Sequence, residues 1–168
     1  MIERVLAVCA GNICRSPMAA ALLSRRLKSV TVESAGIAAL IGHEADPYAI
    51  SLMREHCLDI RAHRGRQLVG WMAASADLVL VMSRRQRQYL ERRFPFLSGR
   101  VYRLGDFSNP PGDPLAGFDI PDPYGRDRAT FEESLSLIEA GVEGWSLRIA
   151  GVSGTAVMPV SRTDKTLP

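Results

Sequence analysis

Apolar residues fall along this chain in two rhythms. Short runs of strand length, without helical spacing, occupy Ile2 to Val8, Val30 to Ser34, Leu78 to Met82 and Val101 to Leu104, so four strands are expected. Helical patterning covers Pro17 to Lys28, Pro47 to His56, a short piece from Leu68 to Ala74, Arg84 to Phe94, and Phe131 to Ile149. Ser16 and Asp46 stand as N-caps, each with a proline at the first helical position. Thr130 and Glu133 read as a capping box for the last helix. Strands alternating with helices imply right-handed crossovers, hence an α/β fold: a three-layer sandwich with a four-stranded parallel sheet, doubly wound and flavodoxin-like. Ligands of such sheets sit beyond the carboxyl ends of the strands.

Two segments break the rhythm. Gly105 to Asp127 is rich in proline, glycine and aspartate and reads as a long loop, of a length that is usually functional or disordered. The stretch from Gly151 to Pro168 lacks periodicity and follows a complete helix, so a flexible tail, 151–168, is expected on a domain spanning 1–150. The 168 residues, 46% apolar and 23% charged, suffice for one well-buried core. No stretch has the form of a signal peptide or a membrane span, so a cytoplasmic protein without membrane insertion is expected. The three cysteines, Cys9, Cys14 and Cys57, are an odd set without metal-ligand spacing, which points to reactive thiols in a reducing compartment. Cys57 reads as structural. Net charge is only +3, so the arginines at 64, 66, 84, 85, 87, 92 and 93 read as solvated faces, and no nucleic-acid partner is expected.

The distinctive chemistry comes after the first strand. Cys9-Ala10-Gly11-Asn12-Ile13-Cys14-Arg15-Ser16-Pro17 runs from a thiol to a guanidinium in six steps and ends at a helix N-terminus. Successive backbone N–H groups in such a loop converge on an anion, and the helix behind adds partial positive charge. Gly11 and Asn12 tolerate the positive torsions or close approach that a curled loop needs. Arg15 adds a planar fork for two phosphate oxygens. The same field favours thiolate over thiol, making Cys9 a candidate nucleophile. The plainer alternative is that Cys9 is a small buried hydrophobe; its place at a strand's end, before Gly, Asn and a helix-opening Ser-Pro, favours chemistry.

The run VCAGNICRSPMAAALL closely resembles the signature loop of the low-molecular-weight protein tyrosine phosphatases. The resemblance continues in order to about residue 150, through Ser34-Ala35-Gly36, His63-Arg64-Gly65-Arg66-Gln67, the VLVMS turn and Asp122-Pro123-Tyr124. It implies hydrolysis of phosphotyrosine through a phosphocysteine on Cys9, with Arg15 binding phosphate or other oxyanions and no metal or cofactor. A general acid is also required. Chemistry leaves Asp106, Asp113, Asp119, Asp122 and Asp127 as candidates, and the Asp-Pro-Tyr resemblance selects Asp122. The resemblance further marks Asn12, Ser16, Ser34 and His63 as a network holding the loop, beside the plainer readings of Ser16 as a cap and His63 as a surface histidine. It gives Cys14 as a second thiol able to bridge to an oxidised Cys9. Substrate contacts are implied at Ala10, Gly11, Asn12, Ile13, Cys14, Leu40 and Tyr124, with Tyr124, Leu40 and Ile41 forming an apolar rim suited to an aryl phosphate. Leu40 stands where some members place an aromatic. SAGIAALIGHEADP looks most like bacterial members that act on a tyrosine autokinase of exopolysaccharide export. Two other readings are an arsenate reductase, whose relay needs two further cysteines that VMSRRQRQYLERRF does not supply, and a phosphotyrosine-binding module without turnover.

Overall fold

A computed structural model describes residues 1–108 and 117–152 of the chain. Four strands, β1 (Arg4–Cys9), β2 (Thr31–Gly36), β3 (Leu78–Val81) and β4 (Val101–Arg103), form one sheet in the order β2-β1-β3-β4. Every pairing is parallel: Val5 lies opposite Val32 and Leu78, and Val79 opposite Val101. Among the described residues five α-helices join or succeed them: α1 (Arg15–Arg26), α2 (Pro47–Glu55), α3 (Gly70–Ser75), α4 (Arg84–Arg93) and α5 (Arg128–Val152).

β1 and β3 are buried on both faces, which explains their unbroken apolar runs. Val5, Ala7, Leu78 and Leu80 pack with α1, α2 and α5, whereas Leu6, Val8, Val79 and Val81 pack with α3 and α4. The expected three-layer sandwich is thus present. Strand order reverses at β1, the first strand in sequence but flanked by β2 and β3, and a crevice opens there at the carboxyl ends. Cys9 is the last residue of that strand.

Several boundaries differ from expectation. β1 and β2 each begin and end one or two residues later, because the register pairs Cys9 with Gly36. Asp46 caps α2, accepting from Tyr48 N at 2.9 Å. Ser16 does not cap α1: the helix begins at Arg15 and the Ser16 side chain turns toward the thiol. For α5 the cap is Asp127, whose carboxylate accepts from Thr130 N at 3.1 Å and Thr130 Oγ1 at 2.6 Å. Thr130 therefore lies inside the helix, and the capping box does not form. Gly151 and Val152, expected in the tail, belong to α5; the rest of that segment, 153–168, lies outside the described residues. Among the described residues no helix is long and apolar enough to cross a membrane.

Candidate active site

The residues between β1 and α1 must turn the chain from a buried strand into a buried helix. The carbonyls of Cys9 to Ile13 find partners on the outside of that turn: Cys9 O takes Ile37 N at 3.0 Å, Ala10 O takes Ala38 N at 3.0 Å, and Gly11 O takes Leu40 N at 3.0 Å. Asn12 O takes His63 Nε2 at 2.6 Å and Ile13 O takes Asp46 N at 2.8 Å. No peptide here is cis, and in a trans peptide the next N–H points opposite the carbonyl. The N–H groups of residues 10 to 14 therefore face the inside of the loop. Asn12 N shows this directly, donating to Cys9 Sγ at 3.2 Å. Ser16 Oγ lies 3.0 Å from the same sulfur.

Asn12 is the hub. Its side-chain amide donates to Ser16 Oγ at 2.8 Å and Ser34 Oγ at 3.0 Å, and its Oδ1 accepts from Arg66 N at 2.9 Å. It carries the loop's positive torsion, φ +57°. Gly11 does not: it has no positive φ, and a Cβ there would meet only ordinary contacts at 3.8 Å. Asn12, Ser16, Ser34 and His63, expected as a network, are all brought together, and His63 is half-buried instead of lying on the surface.

Arg15 is 4% exposed. Its Nη1 donates to Ile120 O at 2.9 Å, and its Nη2 meets Asp122 Oδ2 at 3.0 Å. Its Nε is buried without a protein partner, and a buried unmet guanidinium donor suits an oxyanion. A cavity of about 190 Å³ is lined by Cys9, Ala10, Gly11, Cys14 and Arg15, with Ile13, Ala38, Leu40 and Tyr124 as its larger apolar walls, and Asp122 completes it. Ile41, expected in the rim, is exposed and not part of this lining; Ala38 is there instead.

The other described candidate acids are occupied elsewhere. Asp106 and Asp119 bind Arg103 at 2.7 and 3.0 Å, and Asp127 caps α5. Asp113 lies outside the described residues. Asp122 alone of the described candidates reaches the cavity, and its Oδ1 accepts from Tyr124 N at 3.2 Å.

Burial pushes the Cys14 thiol well above its usual range, helped by the charges of Asp46, Cys9 and Asp122 and opposed by Arg15. Burial likewise lowers His63, as do the Arg66 and Arg64 charges, although the Asn12 carbonyl bond favours its protonated form. Cys57, expected as a structural thiol, is exposed at φ +58°, so packing does not explain it. The cluster arginines are mostly exposed, as a solvated face requires; Arg66 and Arg87 are the exceptions, Arg66 Nε donating to Ser34 O at 2.8 Å and its Nη2 meeting Glu33 at 3.0 Å, and Arg87 Nε meeting Glu91 at 2.9 Å.

Residues 4–153 match the family described as low molecular weight phosphotyrosine protein phosphatase. The chain belongs to that family. A probable low molecular weight protein-tyrosine-phosphatase EpsP of Ralstonia nicotianae is 48% identical over 149 residues, covering 89% of this chain and 97% of its own. A structure of Vibrio vulnificus Wzb in complex with benzylphosphonate superposes with a TM-score of 0.81 at 34% identity, over 88% of this chain and 99% of the other. A YwlE arginine phosphatase from Geobacillus stearothermophilus gives 0.80 at 32%, over 90% and 95%. The proteins to which this chain is similar thus carry names for different phosphorylated residues.

The sequence pattern missed two contributors to this phosphatase-family site. Arg66 orients both Asn12 and Ser34, and Gln67 fastens the wall segment, accepting from Ala39 N at 3.0 Å and donating to Ile37 O at 2.7 Å. Both lie in the His63 to Gln67 stretch, whose presence was the available signal.

Proposed function

We propose that this chain is a protein tyrosine phosphatase working through a phosphocysteine on Cys9. The inward N–H groups and Arg15 hold the phosphate while Cys9 Sγ attacks phosphorus and the phosphorus–oxygen bond to the phenol breaks. Asp122 gives its proton to the departing phenolic oxygen. Its carboxylate then takes a proton from the water that attacks phosphorus, the sulfur–phosphorus bond breaks, and phosphate and the Cys9 thiolate are regenerated. Ser16 Oγ, 3.0 Å from the sulfur, stabilises that thiolate as it leaves. Arg15 and the loop amides neutralise the equatorial oxygens, so the mechanism needs no metal.

The observation that carries this reading is the loop itself: Cys9 Sγ receives Asn12 N inside a ring of inward amides, with Arg15 and Asp122 paired beside it. The apolar walls from Ile13, Leu40 and Tyr124 favour an aryl ring over a charged guanidinium as the group behind the phosphate. Likeness to EpsP supports a phosphotyrosine protein of exopolysaccharide synthesis, a bacterial tyrosine autokinase, as the partner, and a cytoplasmic site of action. An arsenate reductase relay lacks its parts where they are needed: the segment from β3 through α4 holds no cysteine.

Hydrolysis of p-nitrophenyl phosphate with EDTA present tests the proposal. Cys9→Ser should abolish turnover, and Asp122→Asn should lower it about 100-fold. Binding of phosphotyrosine without release by the unmodified protein would show a recognition module instead.

A further inference from the structure

We propose that Arg103 is a positioning residue for the acid, acting through Asp119 to fix where the segment bearing Asp122 crosses the phosphate loop. The inference rests on the phosphatase reading and adds to it a control on the proton donor.

Arg103 ends β4, and at 9% exposure it is one of the few buried charges. Its Nε meets Asp106 Oδ1 at 2.7 Å, and its Nη1 meets Asp119 Oδ1 at 3.0 Å. The same Asp119 oxygen accepts Arg84 N at 3.0 Å, so one carboxylate is pinned between the end of β4 and the start of α4. The chain around it is held equally closely. Phe118 N donates to Gly105 O at 3.2 Å, and a Cβ on Gly105 would lie 2.3 Å from Phe118 O. A Cβ on Gly117, at φ +59°, would lie 2.8 Å from Arg103 Nη2.

Beyond Asp119 the chain enters the catalytic apparatus at once. Ile120 N donates to Met82 O at 2.8 Å, Ile120 O accepts Arg15 Nη1 at 2.9 Å, and two residues later Asp122 meets Arg15 Nη2 at 3.0 Å. The acid stands only three positions along the chain from Asp119, so a shift at the first is carried to the second. Fold stability alone accounts poorly for this arrangement, because a buried ion pair often contributes little net stability over an apolar replacement. Asp119 is also half-exposed and could be satisfied by water. Its constraint falls on the segment that leads to Asp122.

The test compares kcat/KM, which reports phosphocysteine formation, for phenyl phosphate and p-nitrophenyl phosphate. Nitrophenolate leaves with little help from an acid, phenolate only with it. Arg103→Met should lower kcat/KM for phenyl phosphate about tenfold more than for p-nitrophenyl phosphate. Asp119→Asn, which leaves the Arg103 to Asp106 pair intact, should show the same selectivity and carries the test if Arg103→Met fails to fold. In an Asp122→Asn background neither change should add further selective loss. An equal fall on both substrates, or losses that multiply with Asp122→Asn, overturns the positioning role. Absence of turnover by the unmodified enzyme overturns the phosphatase reading and this inference with it.

Discussion

Replacing Asn12 by alanine removes the one residue at which both the backbone and the side chain of the phosphate loop are decided. Three side-chain hydrogen bonds disappear, to Ser16 Oγ, Ser34 Oγ and Arg66 N. All lie in or beside the buried core, and at about 1 kcal/mol net each they sum to roughly 3 kcal/mol. Alanine must also adopt φ +57°, a region that costs a Cβ-bearing residue about 1 kcal/mol more than asparagine. The total of roughly 4 kcal/mol is a large share of the ~5–15 kcal/mol that stabilises a typical domain. For a chain of this size it corresponds to a fall in Tm of about 8–16 °C. Asn12→Gly loses the same side-chain bonds but not the torsional cost, so it should melt above Asn12→Ala by the equivalent of about 1 kcal/mol. Thermal unfolding monitored by circular dichroism gives the two Tm values, and kcat/KM for p-nitrophenyl phosphate gives the consequence for the ring of amides. If Asn12→Ala melts within about 2 °C of the unmodified chain and turns over equally fast, or if the glycine variant is the less stable, the account of the loop is wrong.

Because burial lowers His63 from its ordinary value of 6.5, the unfolded chain binds that proton more readily, so stability falls as pH drops from about 6.5 through the folded value. His63→Gln, whose amide still reaches Asn12 O, should lose less stability to urea between pH 7.5 and 5.5 than the unmodified chain; equal losses would refute the assignment. Tyr124→Ala should raise KM for aryl phosphates about three- to tenfold with kcat little changed, and inhibition by inorganic phosphate should stay the same unless the side chain holds the loop and not the ring. After mild peroxide, Cys9 sulfenic acid should condense with the Cys14 thiolate to a disulfide, releasing hydroxide; with the Cys14 thiol pushed high by burial, the bridge should form faster as pH rises. Mass spectrometry that finds Cys9 sulfonic acid and no bridge at any pH removes Cys14 from that role.

The sheet was legible because β1 and β3 are buried on both faces and show it as unbroken apolar runs. The nucleophile and the arginine were legible because both lie in one short loop whose ends are marked by a strand and a helix. Ser16 was legible only as two readings, a cap or a member of the loop network, because Ser-Pro before a helix looks the same whether the hydroxyl caps an N–H or faces a thiol; the choice is made by Asn12 and Cys9, which approach it only in the fold. Composition showed that Gly11 and Asn12 both tolerate a left-handed turn, but the bond from Leu40 N to Gly11 O and the Arg66 bond to Asn12 place that turn at the asparagine. Arg66 and Arg103 act across 54 and 16 residues of sequence, and no local pattern announces such pairings.

A division of labour inside the wall segment explains how the anion site and the selectivity of its rim can be set separately. Four of the five outward carbonyls of the loop are held by backbone N–H groups, those of Ile37, Ala38, Leu40 and Asp46. Only Asn12 O depends on a side chain, that of His63. Side chains at 37, 38 and 40 are therefore free to differ without opening the amide ring, whereas positions 12 and 63 are not. Leu40 shows both halves at once: its N–H fastens Gly11 O, and its side chain faces the cavity where the group behind the phosphate would lie. A larger or more polar residue at 40 would thus change which phosphorylated side chain fits while leaving the phosphate itself equally well held.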